Sequence, residues 1–135
     1  MSQSPPQSKP PSPSRFSLRN RLRSFIHAYQ GMSTLLREQH NARIHVLALL
    51  GAVVLGLWLK LSIQEWSLIL LASALVMGFE ALNSALEYLC DRVEPARDPL
   101  IGKAKDVAAS AVLIAALAAA AIGALIFLPK LLALI

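Results

Sequence analysis

The sequence is poor in charge and almost devoid of cysteine. Of 135 residues, 16% are charged and a single one is cysteine. One cysteine, Cys90, excludes an internal disulfide framework; no metal-ligand spacing surrounds it, and it reads as buried filler. There is no GxxxxGKS/T segment, which excludes a P-loop. No DNA- or RNA-binding motif accompanies the formal net charge of +5, so nucleic acid is not an expected partner. The N-terminus lacks the apolar stretch of a cleaved signal peptide.

What is present is apolar. Hydrophobic residues make up 56% of the chain, and the mean hydropathy is +0.55. A soluble protein of this length cannot hide that much apolar surface. The expected class is an all-α integral membrane protein, one domain over residues 16–135 preceded by a tail. Residues 1–15, MSQSPPQSKPPSPSR, are mostly Pro, Ser and Gln and are expected to be disordered.

In residues 17–42, Leu18, Leu22, Phe25 and Tyr29 recur at helical spacing, with Arg19, Arg21 and Arg23 largely off that line. The pattern predicts a basic amphipathic helix, lying on a membrane surface, packed on a bundle, or both. Three apolar runs follow, at about 44–61, 64–89 and 107–128. The first and third are each near the ~20 residues that span a bilayer, and the second spans only if its polar C-terminal half faces protein or water. Trp58 and Trp66 flank the short first connection as interface anchors would, and Pro129 and Lys130 are expected to close the last run. Seven of the thirteen Lys and Arg precede residue 44. Arg92, Arg97, Lys103 and Lys105 fall between the second and third spans, so the N-terminus and this loop are expected on the cytoplasmic side. Ala115, Ala119 and Gly123 form a small-residue stripe suited to close helix packing. Three thin helices make a poor bundle alone, so an oligomer is expected.

The second run ends in an unusual way, as GFEALNSALEYLCDRV. At about 100° per residue from Glu80, Asn83 falls at about −60°, Glu87 at about −20° and Asp91 at about +20°. All four share one face. Ionisable residues within a membrane span point to function by default. Three acids and an amide can hold a divalent cation through oxygen, and Mg²⁺ bridging carboxylates to nucleotide phosphates fits that set. Glu80, between Phe79 and Ala81-Leu82, is expected to be partly desolvated and able to accept a proton from an alcohol. The alternative is a solvated, fraying helix end, which suits Asp91 best. In GKAKD, residues 102–106, Lys105 can neutralise phosphate charge, and Asp106 is expected at a helix start, where it could also engage an amine or metal. Topology and helix capping are the alternative reading, which accounts for Lys103 and stands level with the phosphate reading for Lys105 and Asp106.

EALNSALEYLCDR followed by KAKDVAASAVLIA resembles the signature of the small bacterial integral-membrane lipid kinases, the prokaryotic diacylglycerol and undecaprenol kinase family. The resemblance covers about residues 17–130, and SFIHAYQG, NARIH and IFLPKL look nearer the undecaprenol branch. It implies three transmembrane helices and a surface helix in a homotrimer of the bacterial cytoplasmic membrane, with sites shared between subunits. It implies transfer of the γ-phosphoryl group of ATP to a membrane lipid hydroxyl, with Mg²⁺. Glu80 would match the catalytic base, supported by Asn83; Glu87 a metal ligand; Asp91 a supporting residue; Lys105 and Asp106 the nucleotide pair; and Arg21 the nearest candidate for an ATP contact.

One position departs. Gln39 stands where the family usually has a second metal-binding glutamate, and its neighbour Glu38 would lie about 100° away on a continuous helix. Gln39 could ligate through its carbonyl, Glu38 could substitute, or activity could be lost. Asn41 and His45, one turn apart, could touch a headgroup or phosphate, or His45 could be merely interfacial. The rival classes are a non-catalytic oligomer or proton path using Glu80 and Glu87, and an inactive partner subunit.

Overall fold

The computed structural model describes residues 17–94, 96 and 98–135. The expected tail over 1–15 and Arg97 of the basic loop lie outside these. The described chain is all helical: α1 Leu18–Glu38, α2 His40–Trp58, α3 Ile63–Val93 and α4 Pro99–Leu132. The last three are long and apolar enough to cross a membrane.

Helix α2, with 19 residues, is about 28 Å long, close to one hydrocarbon thickness. Helix α3 has 31 residues and runs about 46 Å, so it outlasts a ~30 Å core. Counting from Trp66 at an interface, the core ends after about twenty residues, between Glu80 and Glu87. That length reconciles an apolar start with a polar finish. The buried positions of α3 are Ile69, Ala72, Val76, Glu80, Asn83, Ser84 and Cys90, one stripe that advances by three or four residues to Asn83 and Ser84 and reaches Cys90 two turns beyond Asn83. Hence the face that packs the bundle in the first half is the face that carries Glu80 and Asn83 in the second. Helix α4 packs chiefly along α3, and α2 packs on α3 as well.

The α2–α3 turn is tightly made. Leu61 N–H donates to Gly56 O (3.0 Å) and Lys60 N–H to Leu57 O (3.3 Å), with Lys60 left-handed at φ 53°. This is the Schellman arrangement that ends a helix by satisfying its last carbonyls. A Cβ on Gly56 would stand 2.8 Å from both Leu61 Cδ1 and Trp66 Cη2, so any other residue there would have to displace these side chains. Trp66 is therefore a packing residue as well as an aromatic near the helix end, while Trp58 stays exposed. Ser62 and Glu65 then form a capping box at the start of α3.

Three local expectations are corrected. The first helix does not run through residue 42: it stops at Glu38, and Gln39 is extended at φ −98°, ψ 116°. No glycine or proline marks this break; it falls between the buried Leu35 and Ala42. Helix α4 starts at Pro99, where the Asp98 carboxylate accepts from Leu100 N–H (2.7 Å) and Ile101 N–H (3.1 Å). Asp98-Pro99 is an N-cap followed by proline at the first helical position. Asp106 thus lies two turns inside the helix, and Asp98 holds the N-terminal role. Pro129 does not end α4, which continues to Leu132 although proline cannot supply the N–H that the Leu125 carbonyl would otherwise accept.

Candidate functional site

Glu80 is 1% exposed, and its Oε2 has no partner. Helix α3 delivers it inward on the stripe begun by Ile69, Ala72 and Val76. One turn on, the buried Asn83 donates from Nδ2 to Glu87 Oε1 (2.9 Å), and its own Oδ1 is unpartnered. A buried polar atom left without a partner costs about 1–3 kcal/mol, so two on adjacent turns need an explanation. Both side chains line a cavity of about 240 Å³ with Asn41, His45, Val112 and Ala116. A second cavity of about 200 Å³ shares His45 and Ala116 and continues among Ala72, Val76, Ala119 and Gly123. The small residues of α4 thus leave space beside α3 and α2 rather than filling it.

The acids share a face but do not meet at a point. Glu80 and Asp91 are eleven residues apart, about 16 Å along the axis. Among the described residues no three His, Cys, Asp or Glu side chains gather as a metal cluster. Glu87 is tied back to Asn83, and Asp91 Oδ1 accepts from Lys105 Nζ at 2.8 Å across to α4. Lys105 thus stands beside α3 as expected, and Asp106 is exposed on the next position. Asp91 lies with Lys105, Asp98 and Gly102 around a shallow hollow at the α3–α4 connection.

The end of α1 reaches this region. Tyr88 Oη donates to Glu38 Oε2 (2.9 Å) and accepts from Gln39 Nε2 (3.4 Å). Both candidates for the missing acid therefore sit against the residue that follows Glu87. Because Gln39 is extended, the 100° separation expected for a continuous helix does not apply. Arg21 is exposed about 25 Å along α1 from Glu38, so its own chain does not bring it to this group. Leu18, Leu22, Phe25 and Tyr29 are all exposed, so that row is not packed on the described bundle. Tyr88 was the residue that spacing could not reveal, because its partners lie 49 and 50 positions away.

Buried oxygens without partners on helices long and apolar enough to cross a membrane mark a candidate site, and the comparisons with known proteins give its class. Residues 26–127 match the family described as prokaryotic diacylglycerol kinase, and the chain belongs to that family. It is 38% identical over 109 residues to an undecaprenol kinase of Bacillus subtilis, a match covering 81% of this chain and 89% of that one. A diacylglycerol kinase of Synechocystis is 40% identical over 116 residues, covering 85% of this chain and 66% of its own length. The diacylglycerol kinase of Escherichia coli K12 is 34% identical over 93 residues, 69% of this chain and 76% of that one.

Proposed function

We propose that the protein transfers the γ-phosphoryl group of ATP to the primary hydroxyl of a membrane lipid alcohol, with undecaprenol the favoured acceptor. The observation that carries the reading is Glu80: a buried carboxylate lining a cavity, with one oxygen left without a hydrogen-bond partner. The lipid oxygen attacks Pγ, its O–H proton passes to Glu80, and the Pγ–O bond to ADP breaks. No protein nucleophile is needed, since phosphoryl transfer depends on positioning and charge neutralisation. Asn83 holds Glu87 in place and offers its own oxygen toward the acceptor. Lys105, oriented by Asp91, and Asp106 handle the nucleotide, with Arg21 supplied from a neighbouring subunit.

The donor set suits Mg²⁺. Glu87 offers a carboxylate and Gln39 an amide oxygen, both hard ligands, with Glu38 adjacent. Mg²⁺ commonly uses one or two carboxylates, waters and substrate phosphates rather than an all-protein cage. When bound, it would neutralise charge on the transferring phosphates.

The exposed apolar row of α1 supports a helix lying on the membrane surface, with Arg19, Arg21 and Arg23 toward the headgroups. The basic N-terminal segment supports a cytoplasmic site in a bacterial inner membrane. The widely exposed apolar faces of α2 and α4 support a homotrimer whose sites lie between subunits. That the match spans 89% of the Bacillus undecaprenol kinase, against 66% of the Synechocystis diacylglycerol kinase, supports undecaprenol. The test is label transfer from γ-labelled ATP to undecaprenol and to diacylglycerol in parallel mixed micelles. Preference for undecaprenol is expected; preference for diacylglycerol would reassign the acceptor, and no product on either would refute the reading.

A further inference from the structure

We infer that the two cavities beside Glu80 form one slot for the acceptor's hydrocarbon, a single slender chain held lengthwise, and that Ala119 and Gly123 of α4 are specificity-determining residues that set its width. The inference rests on the proposed transfer to a lipid alcohol and adds which residues read the acceptor's chain.

The slot has two unlike ends. At one, the buried Glu80 and Asn83 line a cavity of about 240 Å³, each with an oxygen that lacks a hydrogen-bond partner. A hydroxyl can donate to such an oxygen and hydrocarbon cannot. His45 and Ala116 line this cavity too and carry the space into the second, of about 200 Å³, which runs past Val76, Ala119 and Gly123 to Ile69 and Phe127. From Ala116 to Phe127 is about 16 Å along α4. That volume spread over that length leaves room for one chain, not two side by side. Among the described residues, His45 and Ser73 supply the only polar side chains on this second cavity. A bound water needs about two to four polar partners, whereas apolar cavities of about 150 Å³ stay dry and take up apolar guests. The space is also not one that packing demands. A Cβ on Gly123 would meet nothing nearer than Phe127 Cδ2 at 3.9 Å, an ordinary contact. Alanine would fit there and would favour the helix, so glycine keeps room that the fold itself does not use. A head short of a donor, joined to an apolar shaft one chain wide, matches a primary alcohol on a long hydrocarbon.

The probe is dodecanol carrying a diazirine on its terminal carbon, photolysed with the full-length protein in micelles and mapped by mass spectrometry. Label is expected at the far end of the slot, on Ile69 or Phe127, and farnesol is expected to compete it away. Ala119→Leu and Gly123→Leu fill the shaft. Each should abolish the competed label and raise KM for dodecanol roughly 5- to 100-fold, the effect of forcing methylenes into filled space. Butanol, too short to reach Ala119, should keep its wild-type KM and kcat, whereas a merely structural role would move both alcohols alike. Gly123→Ala, whose methyl is accommodated, should give a smaller rise for dodecanol alone, and it carries the test if the leucine variants do not fold. Thermal unfolding and oligomeric state are measured on each variant. Label that farnesol does not compete, or a wild-type KM for dodecanol in all folded variants, would overturn the assignment. Loss of the oligomer in the leucine variants would overturn it as well, by showing that a second copy of the chain fills the slot. Competed label in the slot, lost in the leucine variants, with no transfer to any alcohol would instead leave the chain site standing and remove the proposed reaction.

Discussion

At its first turn α3 carries Ser62 and Glu65, and each is answered within the chain. Ser62 N–H and Oγ both donate to Glu65 Oε2 (2.7 and 2.8 Å), Glu65 N–H returns to Ser62 Oγ (3.3 Å), and Glu65 Oε1 meets Lys130 at 3.1 Å. Toward its other end the same helix carries Glu80 and Asn83, more deeply buried, each with an oxygen left over. Polar groups that serve the fold are satisfied by the fold. Polar groups that lower stability while lining a cavity are retained for a ligand, and removing them is expected to stabilise the chain. Position in the helix, not residue type, separates a structural glutamate from the one proposed to react.

The largest effect is expected at Glu80. Glu80→Gln should reduce transfer by at least about 10² to 10⁴-fold, the range for loss of a general base, with no loss of thermal stability. Glu80→Met should be equally inactive and melt higher, since a buried oxygen without a partner is removed. A drop in melting temperature as large as the drop in rate would make Glu80 a structural residue like Glu65.

At the opposite end, Gly56→Ala should destabilise by about 1–3 kcal/mol, because the added methyl meets Leu61 and Trp66 at 2.8 Å. Turnover per folded molecule should not change. Loss of specific activity in the folded fraction would show that the two ends communicate.

Ser62→Ala should cost about 1 kcal/mol as a lost cap. Glu65→Gln, which breaks a partly exposed ion pair with Lys130 but keeps a capping side chain, should cost less than about 1 kcal/mol. Denaturant or thermal titration in micelles would rank the two, and the reverse order would mean the ion pair outweighs the cap. Smallest, and opposite in sign, is Lys60→Gly. It relieves the left-handed backbone at φ 53° and should stabilise by up to about 1 kcal/mol; an unchanged or lower melting temperature would show that the lysine side chain contributes to the turn.

The sequence made some of this readable and hid the rest for physical reasons. The four polar residues of α3 fell on one face because helical period is a local property, and Lys105 lay near Asp91 because a short connection brings α4 back along α3. Asp98-Pro99 was a local start signal as well, overlooked because the apolar run begins some eight residues later. The break at Gln39 was not local. It falls between buried Leu35 of α1 and Ala42 of α2, where Tyr88 of α3 meets Glu38 and Gln39, so arithmetic on one continuous helix did not apply. The extent to which the acids converge was also a three-dimensional matter: a shared face distributes Glu80 and Asp91 along the helix instead of gathering them.

The measurement that bears most directly on the contrast between the two ends of α3 pairs transfer with stability. Wild type, Glu80→Gln and Glu65→Gln would be assayed side by side for label transfer from ATP-Mg²⁺ to undecaprenol, and melted in the same micelles. The expected result is an inactive but fully stable Glu80→Gln beside an active, slightly less stable Glu65→Gln. Near-wild-type turnover in Glu80→Gln would contradict the account.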